Sequence, residues 1–117
     1  MSPWRLMMID YRYILDEAGN PQPEPDLLKW AQWMETPENK IVKQNRFDQD
    51  GQSILVSTVF LGLDHSFKEI TGKDVLPVLW ETMIFGGPHD QYQDRYTSKE
   101  DAIAGHQVAL KLAKGDQ

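Results

Sequence analysis

Cysteine is absent from the 117 residues. Its absence excludes a disulfide framework, a thiolate nucleophile and a cysteine-ligated zinc site. Basic residues are few: Lys and Arg number 12 against 18 Asp and Glu, for a formal charge of -6. Such a chain is poorly suited to a phosphate backbone, where Lys and Arg supply the affinity. No apolar run approaches the ~18 residues of a membrane span. Met1 to Leu15 contains Asp10 and two Arg, which interrupts any signal-peptide core. Neither a nucleic-acid nor a membrane partner is expected. Tandem repeats and low-complexity tracts are also missing.

What remains suits one ordinary core. Hydrophobic residues make up 40% of the chain and aromatic residues 10%, too many for disorder throughout. The length favours a single domain over residues 1–117, with 1–10 either lengthening the first strand or forming a loose N-terminal extension.

Periodicity divides the chain into six elements. Tyr11 to Leu15 is short and aromatic and reads as a strand, ended by the turn residues Asp16 to Asn20. Pro21, Pro23 and Pro25 alternate with polar residues, which predicts an extended, unpaired stretch. A helix opens at Pro25 or Asp26, carries Leu27, Trp30, Ala31 and Met34 at helical spacing, and stops at Thr36-Pro37. Lys40 to Phe47 reads as a strand. Asp48-Gln49-Asp50-Gly51 is a turn, and Ser53 to Leu63 is the most apolar strand of the chain. Val75 to Phe85 is a further strand, closed by Gly86-Gly87-Pro88. Ser98 to Lys114 is a helix with a Thr97/Glu100 capping box. Its apolar face is Ala102, Ile103, Ala109, Leu110 and Ala113. The order strand-helix-strand-strand-strand-helix predicts an α+β fold, an antiparallel sheet of about four strands with two helices packed on it. From the first helix onward, the element order is that of a double-stranded-RNA-binding domain. Such domains rely on basic residues at the start of the last helix, where this chain has Lys99-Glu100-Asp101.

A few polar residues fall in apolar places. Period-two alternation puts Glu81 on the face of Leu79, Met83 and Phe85. A carboxylate there needs a donor or keeps its proton, and Arg95 or a histidine is the expected partner. His106 follows Ile103 by three residues and precedes Leu110 by four, so it belongs to the sheet-facing side of the last helix. Gly105 beside it predicts a close approach of another backbone, or of a ligand. Asp64 and His65 follow the most apolar strand, where binding groups collect. Each also has a structural explanation: a satisfied core histidine for His106, a paired or solvated carboxylate for Glu81, turn formation for Asp64 and His65. Should their elements converge, His65, Glu81 and His106 would make a site of two histidines and one carboxylate. No Gly-x-Ser-x-Gly elbow and no His-x-x-x-His spacing occurs, so neither a metal nor a cofactor is expected.

Several motifs together resemble a family of small bacteriophage and prophage proteins without an assigned function. They are Tyr13-Ile14-Leu15-Asp16 with Gly19-Asn20-Pro21, Trp30-Ala31-Gln32-Trp33, and the run from Val56 to His65. Glu81 to Gly87, Arg95-Tyr96-Thr97 and Ala104-Gly105-His106 complete the set. The resemblance covers Tyr13 to Val108. It departs at Met1 to Tyr11, an extension, and at a longer connection from Lys68 to Asp74. It implies a setting, the cytoplasm of an infected host bacterium, and no activity.

Two functions of different class follow. One is a non-enzymatic accessory module that binds a host or phage protein, with host defence among its targets, and with Trp4, Trp30, Trp33, Arg95 and Tyr96 as contact residues. The other is a small hydrolase or ligand-binding protein built on His65, Glu81 and His106, with Asp64 a further catalytic candidate. A pocket shared by the histidines and Glu81 favours the second, and a packed core favours the first.

Overall fold

The computed structural model describes residues 12–66 and 75–115. The expectations for residues 1–10, for Trp4 and for the Lys68 to Asp74 connection lie outside them. Two compact units emerge, one of Met1–Lys40 with Leu61–Val78, the other of Ile41–Phe60 with Leu79–Gln117.

The first unit begins with β1 (Tyr13–Leu15) and β2 (Pro21–Pro23), an antiparallel pair in which Tyr13 faces Pro23 and Leu15 faces Pro21. The expectation that the proline stretch stays unpaired is therefore corrected. The ladder bonds run at alternate positions, with Asp16 N–H to Asn20 O and Glu24 N–H to Arg12 O. That alternation places both prolines where no N–H is required of them. The Asp16 carboxylate closes the turn by accepting from the N–H of Ala18 and of Asn20. Next come α1 (Leu27–Glu35) and the single turn α2 (Pro37–Lys40). Asp26 caps α1, its carboxylate accepting from the N–H of Leu28 and Lys29, and extended Thr36 before Pro37 ends it.

The second unit holds β3 (Ile41–Gln49), β4 (Gln52–Phe60), β5 (Trp80–Phe85), β6 (Gln93–Tyr96) and α3 (Lys99–Ala113). The strands form one antiparallel sheet in the order β3-β4-β5-β6, and α3 packs against it. The fold class is α+β. The β3–β4 turn shrinks from the expected four residues to Asp50 and Gly51, both at positive φ (54° and 78°), as a primed two-residue hairpin requires. The strand expected from Val75 begins only at Trp80. β6 escapes a reading by periodicity because Gln93-Asp94-Arg95 is polar and exposed, as an edge strand can be.

Alternate residues of the strands face α3. Ile54, Val56 and Ile84 form a buried core with Ala109 and Ala113, bordered by Phe47, Tyr92, Leu110 and Leu112. The buried strip of α3 is Ala102, His106, Ala109 and Ala113. Ile103, expected inside, is 45% exposed. Small alanines let the helix axis approach the sheet, and the wider residue is left beside the contact. The cap also moves by one residue: Ser98, not Thr97, accepts from the N–H of Asp101. Among the described residues, no helix is long and apolar enough to cross a membrane.

Candidate functional site

His106 is fully buried beneath α3. Its Nδ1 lies 2.7 Å from Thr58 Oγ1, which lies 2.6 Å from Thr82 Oγ1. Its Nε2 lies 2.7 Å from Asn45 Oδ1. With the amide oxygen of Asn45 toward the ring, Nε2–H donates to Asn45 and Nδ1 accepts from the Thr58 hydroxyl. Thr58 in turn accepts from Thr82. The chain runs from β3 through α3 to β4 and β5. Both ring nitrogens are occupied by neutral partners, so the imidazole is held uncharged. Burial pushes its pKa below the ordinary histidine value, and the nearby Lys43 charge acts in the same direction.

Gly105 makes this close seating possible. A Cβ there would run into the hydroxyl and ring of Tyr96. The expected close approach is made by a strand side chain, not by strand backbone. Burial also raises the Tyr96 phenol pKa above its usual value.

Glu81 lies on the opposite face of the sheet. It sits across from Val59 on β4 and Arg95 on β6. Arg95 Nε donates to Glu81 Oε2 at 2.9 Å, and the Gln93 amide donates to the same oxygen. The expected partner is thus present. Ser57, Val59, Glu81, Met83 and Phe85 line a shallow groove on this face. Gln44 donates to Ser57 at 3.0 Å beside it. Sheet backbone separates Glu81 from His106, since the neighbouring Thr82 belongs to the helix-covered side. These two candidate groups do not meet.

Asp64 and His65 belong to the first unit. The buried Asp64 carboxylate accepts from the Ser66 N–H at 2.8 Å, the Ser66 hydroxyl at 3.0 Å and the Val78 N–H at 3.0 Å. It ties one loop end to the other, an Asx turn extended by a long-range bond. His65 Nδ1 donates to Leu63 O at 2.8 Å, which directs the ring along its own loop. Trp30 and Trp33 are half-buried. The Trp30 indole N–H donates to Gly62 O at 2.9 Å, so this ring is in part an internal tie. Of the other two contact candidates, Arg95 is on the open sheet face and Tyr96 is turned to the helix.

Asn45, Thr58 and Thr82 are not among the residues that sequence reasoning selects. A signal exists for the threonines: each stands between apolar residues two positions away, Val56 and Phe60 or Trp80 and Ile84, in strands whose alternate residues are core. Among the described residues, no group of three His, Asp or Glu is placed to hold a metal ion. No family model, curated protein or solved structure matches this chain.

Proposed function

We propose that this chain is a non-enzymatic protein-binding module, acting on a host or phage protein in an infected bacterium. One observation carries the reading. The most unusual polar group, His106, is sealed in a closed hydrogen-bond chain, and Glu81 is bonded to Arg95 and Gln93 on the other side of the sheet. His106 is closed to a substrate and the Glu81 carboxylate is already held by two donors, so in this reading the candidate chemistry serves packing.

The open sheet face offers a contact surface. Leu55, Val59 and Met83 are half-buried and Phe85 is 45% exposed, with the Glu81–Arg95 pair among them. Apolar anchors ringed by polar groups are what protein interfaces use.

Affinity purification from phage-infected cells tests this, comparing the wild type with Phe85→Lys. One protein should co-purify in stoichiometric amount, and the variant should retain roughly tenfold less of it with an unchanged melting temperature. Equal retention by the variant, or no retained protein, overturns the reading.

A further inference from the structure

The two edges of the four-stranded sheet are finished differently. Among the described residues, β6 ends the sheet on one side and β3 on the other. On β6 the bond from Ile84 N–H to Tyr92 O fixes which residues point inward, leaving Gln93 and Arg95 to point their backbone groups outward. The Arg95 N–H is already satisfied by the Asp94 carboxylate at 3.0 Å. The strand is also only four residues long. That edge is blunted in the way natural sheets protect themselves.

β3 is nine residues long. In a two-residue hairpin the flanking pair, here Gln49 and Gln52, is the hydrogen-bonded one. Alternation then turns the backbone groups of Asn45 and Phe47 toward β4. Those of Gln44, Arg46 and Asp48 point outward, and all three residues are exposed. The bulge between Ile41 and Lys43 breaks the ladder only at the far end.

We propose that a second copy of this chain docks antiparallel on the outer edge of β3, joining the two four-stranded sheets into one. The charges choose the register. A two-fold axis through Phe47 sets Arg46 of each copy opposite Asp48 of the other, which makes two ion pairs flanked by ladder hydrogen bonds. An axis through Arg46 would put that guanidinium against its own counterpart. An axis through Asn45 would place Asp48 opposite the bulged Val42. Only the first register is attractive. It also brings the two Phe47 rings together at the axis in a close, non-hydrogen-bonded pair. Phe47 is half-buried, and the Lys114 ammonium lies 5.6 Å from its ring centre.

The self-complementarity supplies its own test. Arg46→Asp leaves two acidic residues facing two acidic residues across the axis, and Asp48→Arg leaves basic facing basic. When the two variants are mixed, the all-acidic edge of one faces the all-basic edge of the other, and both pairs are attractive again. Sedimentation velocity at about 100 µM protein should show a wild-type dimer. Each variant alone should dissociate, its dimer dissociation constant raised about tenfold or more. The equimolar mixture should dimerise. Circular dichroism of each variant reports that the exposed substitutions leave the fold in place. A monomeric wild type at that concentration, as expected of an edge reserved for another protein's strand, overturns the proposal. So do single variants that dimerise like the wild type, and so does a mixture that stays monomeric.

Discussion

The two faces of the four-stranded sheet use polar residues in opposite ways. Thr58 and Thr82 on the helix side are wholly buried, and His106 seals over them without a formal charge. Ser57 and Glu81, one residue away along the same strands, look the other way, where Glu81 is paired with a partly exposed Arg95. The covered face uses neutral hydrogen bonds because an ion there would lose its water with no compensating partner. The open face tolerates an ion pair because water still reaches it. Buried neutral networks are stiff and costly to break, whereas half-exposed ion pairs contribute little.

The contrast can be broken most severely at Gly105. Gly105→Leu forces side-chain atoms into the Tyr96 ring and should lift α3 from the sheet, with a loss of about 3 kcal/mol or more by denaturant titration. Stability within about 0.5 kcal/mol of wild type would mean that α3 has room to spare.

His106→Ala should cost about 2 kcal/mol, by removing the ring partner of the Thr58 hydroxyl and of the Asn45 amide oxygen and opening a small cavity. It should also alter the pH profile. The folded pKa of His106 is lowered, so the unfolded chain binds the proton first. The stability that follows is whole above the unfolded value of about 6.5 and is lost as pH falls toward the folded pKa. Thermal melts of the wild type between about pH 7.5 and 5 should show this loss, and the variant should lack that component. Parallel profiles would show that His106 is not held neutral.

The smallest effect belongs to the open face. Arg95→Ala removes a pair whose cationic side chain is 38% exposed and should cost less than about 1 kcal/mol, the more readily masked by salt. A loss as large as that at His106 would erase the distinction between the faces.

Much of the fold is legible from local patterns. The central hairpin, the Asp26 cap, the stop at Thr36-Pro37 and the last helix each have a local cause: apolar alternation, a side chain that satisfies end amides, a proline that forbids helical angles. The pairing of Glu81 with Arg95 is readable because a carboxylate on an apolar strand demands a donor. Strand β6 is not readable, since an exposed edge strand needs no hydrophobic period. The pairing of Pro21 to Pro23 is hidden because the proline rule bars pairing only where an N–H is needed, and register decides where that is. The cap of α3 slips from Thr97 to Ser98 because both residues have a hydroxyl, and only the docked position of the helix selects between them.

The amino-acid order alone determined the central hairpin, the first and last helices and the inward side of His106, because those properties follow from periods of two and 3.6 residues and from the covalent limits of Gly and Pro. Tertiary structure alone decided which polar groups became partners of His106. Asn45 lies 61 residues from His106 along the chain and Thr58 lies 48, while Thr82 is a further 24 residues from Thr58. No local rule relates residues so far apart. Sheet register and the seating of α3 bring them within hydrogen-bond distance, and the same register places Glu81 on the other face.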